Sequence, residues 1–209
     1  LKTNHDLKDW LSWMDILSEQ NYVVIDDFLD DALYASLRSF LFDKIDAFDQ
    51  AGIGTLNQHV IKRNIRGDRT YWLNSARDTD LNGFWELLEE TKFILNRYCY
   101  LSLSGQEFHL AHYPSGGHYA RHLDQFEGRN NRMISMILYL NENWQPEHGG
   151  QLEILDSNKE LQLVAPLAKR CVLFKSAEVP HAVLKSFNDR YSVTGWLLYQ
   201  PAGIGPVLG

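Results

Sequence analysis

Phe108-His-Leu-Ala-His-Tyr113, halted by Pro114-Ser-Gly-Gly117, sets the texture of the second half of the chain. The run is too short for a stable helix, mixes apolar residues with half-polar ones, and ends in turn formers. The same pattern recurs at Tyr119 to Asp124, Met133 to Leu140, Gln151 to Leu155, Leu161 to Val164, Cys171 to Lys175, Ala182 to Lys185 and Tyr191 to Tyr199. Glu147-His-Gly-Gly150, Asp156-Ser-Asn158 and Asn188-Asp189 punctuate it. Eight short strands at regular spacing predict a double-stranded β-helix, the jelly roll, so the fold class is α+β and mainly β.

Upstream the period changes. Leu7, Trp10, Leu11, Met14 and Leu17 fall at helical spacing, and Tyr22 to Leu29 reads as a strand running into a turn. A second helix, capped by Asp30 or Asp31, buries Leu33, Leu37, Phe40, Leu41, Ile45 and Phe48. Ala51 to Asp68 reads as a long loop around a short strand. A third helix from Asn82 to Cys99 is marked by Trp85, Leu88, Phe93 and Leu95, with Glu86, Glu89 and Glu90 as a solvated face. The expected organisation is one domain over 1–209, with helical support in 1–100, the jelly-roll core in 101–200 and a flexible tail in 201–209.

Composition narrows the function. The 209 residues carry a formal charge of -7, which repels phosphate backbones, and no basic patch offsets it, so no nucleic-acid partner is expected. No apolar run approaches a membrane span, and Leu1-Lys-Thr-Asn-His-Asp6 lacks a signal-peptide pattern, so no membrane partner is expected either. Cys99 and Cys171 form neither a CxxC pair nor a disulfide framework. A reducing, cytoplasmic setting is the expectation.

The chemistry starts at His122-Leu-Asp124. Residues two apart on a strand share a face, so an imidazole and a carboxylate stand together there. His181 lies five strands later, far enough along the series to meet them across a barrel. Two histidines and one carboxylate form the facial triad that binds non-haem Fe(II) and leaves open positions. Arg190 follows His181 after the turn at Ser186 to Asp189, and a buried guanidinium needs an anionic partner. A dicarboxylate whose keto-acid end chelates iron while its far carboxylate pairs with Arg190 meets both demands. That ligand is 2-oxoglutarate.

These residues resemble the signature of the 2-oxoglutarate/Fe(II)-dependent dioxygenases, in particular the prolyl 4-hydroxylase branch with its hypoxia-type members and their bacterial counterparts. The matching stretches are Ile65-Arg-Gly-Asp68, His112 to Asp124, Ile137-Leu-Tyr-Leu-Asn141, Gly149-Gly-Gln-Leu152 and Asp189 to Trp196, in the family's order over Tyr22 to Tyr199. The resemblance implies His122, Asp124 and His181 as iron ligands and Arg190, with Tyr139, as partners of the distal 2-oxoglutarate carboxylate. It places Tyr113 as a pocket tyrosine, Leu152 as an apolar wall, and Thr194 and Trp196 on the strand beside the metal. O2 is the implied second co-substrate and ascorbate a stimulant. The implied reaction is C4 hydroxylation of a prolyl residue in a protein loop, in elongation factor Tu for a bacterial member. A one-residue shortening at Ser115-Gly-Gly117 departs from the pattern and bears on substrate entry.

Alternative readings are hydroxylation of another protein side chain, prolyl 3-hydroxylation, and an inactive jelly-roll binding or sensor module. Arg66-Gly-Asp68 is also an adhesion tripeptide, but in this family the segment lies beside the peptide-binding mouth, where Asp68 is expected to pair with Arg132. His5, His59, His109, His112, His118 and His148 are assigned no chemistry. Hydrolase elbows, Walker loops and Rossmann glycine runs are missing from the sequence.

Overall fold

The computed structural model describes residues 5–51, 66–125 and 130–199. Most of the expected loop at 51–68, and the expected tail, lie outside the described residues. Helix α1 (Leu7–Gln20) buries Trp10, Met14 and Leu17, one stripe of its 3.6-residue period. Asn21 closes it in the left-handed region, at φ 66°, and turns the chain into β1 (Tyr22–Ile25). Helix α2 (Asp31–Asp43) starts at Asp30, whose carboxylate accepts the Leu33 N–H at 2.7 Å. Strands β2 (Asp49–Gln50) and β3 (Arg69–Trp72) pair with each other, and helix α3 spans Asn82–Cys99.

The eight predicted strands follow: β4 (Leu103–Tyr113), β5 (Tyr119–His122), β6 (Arg132–Tyr139), β7 (Leu152–Leu155), β8 (Leu161–Val164), β9 (Cys171–Lys175), β10 (His181–Val183) and β11 (Arg190–Tyr199). They divide between two antiparallel sheets, a larger one in the order β1-β9-β6-β11-β4-β3-β2 and a smaller one in the order β5-β10-β7-β8. The chain crosses from one sheet to the other at almost every turn, the jelly-roll arrangement. The fold expectation holds.

Side-chain parity explains what each face of the larger sheet does. Phe108, Leu110, Ile134, Met136, Leu138, Cys171, Leu173, Val193 and Leu197 point one way and form a single core with the buried faces of the three helices. Each such side chain, once buried, stabilises the fold by about 1.5–3 kcal/mol. The alternate residues Ala111, Tyr113, Ile137, Tyr139, Val172 and Phe174 point the other way, toward Leu152, Ile154, Val164 and Val183 of the smaller sheet.

Two readings of α3 change. Glu90 is not solvated: it is 1% exposed and accepts the indole N–H of Trp10 at 2.8 Å. A carboxylate can enter the core where a donor awaits it. Phe93 turns outward instead, 51% exposed, while Phe84, Leu87, Leu88, Ile94 and Leu95 supply the packed stripe.

Candidate active site

His181 opens β10, and its register partner on β5 is His122. Antiparallel pairing therefore sets two imidazoles side by side, with ring centroids 4.3 Å apart. Asp124 lies just beyond the end of β5 on the same side. Its Oδ1 is 3.5 Å from His122 Nε2 and its Oδ2 is 3.6 Å from His181 Nε2. One ligand atom from each of the three residues fits within 4.8 Å of the others.

The donor set suits a divalent cation. His122 Nδ1 lies 2.8 Å from the Ala120 carbonyl and His181 Nδ1 lies 3.0 Å from the Val179 carbonyl. A carbonyl only accepts, so each Nδ1 donates its proton, and in the neutral ring the Nε2 lone pair is left facing Asp124. Burial lowers the His181 pKa, partly opposed by Asp124, which favours that neutral ring. Burial works against ionisation of Asp124; protonated His181 and His122 together with the Ser135 hydroxyl outweigh it and lower the carboxyl pKa, and with both rings neutral Ser135 is the donor among these that still favours the carboxylate. Around the triad, the Tyr119 ring stacks on His122 at 3.8 Å and Phe174 lies 4.6 Å from His181.

A second polar centre sits on the inward face of the larger sheet, which looks toward the smaller one. Arg190, 1% exposed, begins β11, opposite Tyr113 of β4. Its guanidinium carbon lies 5.1 Å from the Tyr113 ring centre and 5.0 Å from that of Tyr139. Nε donates to the Gly150 carbonyl at 2.9 Å. The approach requires glycine: Gly150 has φ +63°, and a Cβ there would meet Arg190 Cδ at 3.1 Å and Ser186 Oγ at 2.9 Å. Arg190 Nη2 and the Tyr139 hydroxyl are sealed from solvent without a hydrogen-bond partner among the described residues. Burial raises the Tyr139 pKa, opposed by Arg190, so the phenol keeps its proton to donate. A buried cation and a phenol with open donors fit a carboxylate that arrives from outside.

The other expected residues lie on the facing sides of the two sheets. Leu152 is fully buried in the smaller sheet, and Thr194 and Trp196 share the inward face of β11 with Arg190. Arg132 stacks 3.4 Å over the Trp196 ring and pairs with Glu107 at 3.0 Å. Asp68 does not pair with Arg132. Its carboxylate takes a bidentate pair from Arg66, two residues away, at 2.6 and 2.8 Å, a short-range partner that needs no loop closure. Arg66 in turn lies over the Tyr119 ring at 4.8 Å, which connects this segment to His122. Asp68 is fully buried, so the tripeptide does not display the carboxylate an adhesion motif needs.

Three participants escaped the sequence reading. Ser135 donates to Asp124 Oδ2 at 2.6 Å, and Ser176 lies 2.8 Å from Ser135. His109, 2% exposed, stands between Trp72 and Trp196 with its Nδ1 unpartnered among the described residues. Burial pushes its pKa down to about 3, so it is neutral. Strand parity was the available signal, because 109 and 135 share the inward phase of Tyr113 and Tyr139.

A jelly roll with two imidazoles and one carboxylate converging on one side, and a buried arginine set apart from them, defines a metal-dependent oxygenase scaffold. The sequence profile of the 2OG-Fe(II) oxygenase superfamily matches residues 108–198. A crystal structure of a Pseudomonas putida prolyl-4-hydroxylase superposes with TM-score 0.83 at 30% identity, covering 91% of this chain and 99% of that one. The Trichoplax adhaerens prolyl hydroxylase, solved with a hypoxia inducible factor peptide fragment, superposes with TM-score 0.81 at 23% identity, covers 94% of each chain, and shares the fold. The mouse prolyl hydroxylase EGLN3 is 33% identical over 149 residues, which is 66% of this chain and 60% of the relative. The chain thus spans about three-fifths of the length of that curated relative. It belongs to the 2-oxoglutarate/Fe(II)-dependent oxygenases, in their prolyl hydroxylase branch. Fe(II), 2-oxoglutarate and O2 are the cofactor and co-substrates of that family, and ascorbate is a typical addition.

Proposed function

We propose that this protein couples oxidative decarboxylation of 2-oxoglutarate, to succinate and CO2, to hydroxylation of a prolyl residue at C4 in a protein substrate. His122, Asp124 and His181 hold Fe(II), which when bound supplies the O2 activation that no side chain provides. Arg190 and Tyr139 hold the distal carboxylate of 2-oxoglutarate. Tyr113, Leu152, Thr194 and Trp196 wall the space between the two ends, orient the diacid and keep water from it. The observation that carries the reading is the buried Arg190 Nη2 and Tyr139 hydroxyl, both without hydrogen-bond partners among the described residues, on the face of the larger sheet that looks toward the smaller sheet bearing the triad. They ask for an anion, which the distal carboxylate of 2-oxoglutarate supplies in this reading.

The same proposal takes the chain as one catalytic domain, with its N-terminal helices packed behind the sheet that bears the site. The substrate is a prolyl loop of a protein, and elongation factor Tu is the candidate that the resemblance to bacterial members supplies. A cytoplasmic location suits the two free thiols, Cys99 and Cys171.

The test is turnover. Purified protein with Fe(II), ascorbate and 2-oxoglutarate releases succinate above a His181→Ala control. With elongation factor Tu added, intact-mass analysis followed by fragmentation finds one added oxygen on a proline. Succinate release without a modified elongation factor Tu moves the search to other prolyl proteins. No succinate with any candidate favours an inactive binding module.

A further inference from the structure

Strand β6 reads Arg132-Met-Ile-Ser-Met-Ile-Leu-Tyr139, and Ser135 shares its inward phase with Ile137 and Tyr139. A hydroxyl at that place, 1% exposed, costs free energy unless it is bonded. It is bonded twice: to Asp124 Oδ2 at 2.6 Å and to Ser176 Oγ at 2.8 Å. Ser176, fully buried, follows the last residue of β9. Counting protons fixes the direction of both bonds. An ionised carboxylate only accepts, so the single Ser135 proton goes to Asp124, and Ser176 must donate to the Ser135 oxygen. The two hydroxyls therefore act in series on one oxygen of one carboxylate.

That makes the two oxygens of Asp124 unequal. Oδ2 is engaged by a short hydroxyl bond, whereas Oδ1 receives none from the described residues and lies nearer the half-buried His122. We infer that Ser135, backed by Ser176, is a positioning residue for the metal-binding carboxylate, occupying Oδ2 so that Asp124 offers Oδ1 alone to the cation. A carboxylate that ligated through both oxygens would fill a position that 2-oxoglutarate and O2 need. The hydroxyl pair also fixes the rotation of the carboxylate before any cation arrives, which lowers the ordering cost of binding. This inference rests on the reading of His122, Asp124 and His181 as a metal centre.

The test uses Mn(II), a redox-silent stand-in for Fe(II), titrated into the metal-free protein and followed by electron paramagnetic resonance, with thermal melts as the fold control. Ser135→Ala raises the Mn(II) dissociation constant about tenfold or more and changes the spectrum of the bound ion. Ser135→Thr, which keeps the hydroxyl, returns it to within roughly twofold of the parent. Ser176→Ala gives a smaller rise, roughly threefold, and the double alanine variant is no weaker than Ser135→Ala because the outer hydroxyl acts only through the inner one. If Ser135→Ala loses its cooperative melt, Ser176→Ala and Ser135→Thr decide in its place. Parental affinity and spectrum in Ser135→Ala, single effects that multiply in the double variant, or no recovery in Ser135→Thr would each overturn the inference. Parent protein that binds Mn(II) no better than His181→Ala would remove the metal centre itself and this inference with it.

Discussion

The two faces of the seven-stranded sheet are built from the same strands and answer to different demands. The helix-facing side is for the most part an apolar core of leucines, isoleucines and aromatic rings, with open polar atoms only at its margin, such as Gln106 Oε1 and His112 Nδ1 on β4. The inward side carries Arg190, Tyr139, Trp196 and His109, each with a buried nitrogen or oxygen that has no hydrogen-bond partner among the described residues. Native interiors pair their polar groups almost without exception, so a concentration of open valences on one face marks where a ligand completes the structure. The outer face should govern stability and the inner face affinity.

Arg190→Met separates the two most sharply. Removing one member of a buried charge pair costs about 2–5 kcal/mol of binding, at least roughly 30-fold in 2-oxoglutarate affinity, read by calorimetry on the Mn(II)-loaded protein. Without 2-oxoglutarate the variant melts no lower than the parent, since an unpaired buried cation has been replaced by an apolar chain. A large loss of stability with affinity intact would reverse the assignment of the faces. Leu138→Ala, on the opposite side of β6, has the converse profile. It costs about 2–5 kcal/mol in urea unfolding, while the folded fraction binds 2-oxoglutarate as the parent does.

The smallest effect is a matter of pH. His109 is held neutral, with its pKa near 3 in the fold against about 6.5 in the unfolded chain. Between those values the unfolded state binds the extra proton, so the contribution of His109 to stability is complete above about pH 6.5 and falls as the pH drops toward 3. By pH 5.5 the parent should have lost about 1.4 kcal/mol through this residue, and His109→Met should lose that much less over the same interval. Equal losses in the two proteins would mean that His109 is charged in the fold.

Where a local rule sufficed, the sequence was legible. Asn82 and Cys99 bound α3, and Leu161–Val164 and Cys171–Lys175 bound β8 and β9, as periodicity and turn formers predicted. The convergence of His122, Asp124 and His181 was readable because spacing and motif reinforce each other there. Legibility ended where a distant partner decides. Glu90 looked solvated because its donor, Trp10, lies 80 residues upstream. Asp68 was expected to reach Arg132, yet the neighbouring Arg66 takes it. Ser135 and His109 passed as ordinary strand residues because the groups that give them meaning arrive from other strands.

The register of His122 against His181 has a mechanical consequence. Strand β5 is four residues long, stands at the rim of the smaller sheet, and has β10 as its strand neighbour. A cation gripped by one imidazole from each strand acts as a clasp across that seam. Without a cation the protein should fray there more readily, exposing a backbone edge to proteases and to stray chains, so that an ion bound for chemistry would also close that border.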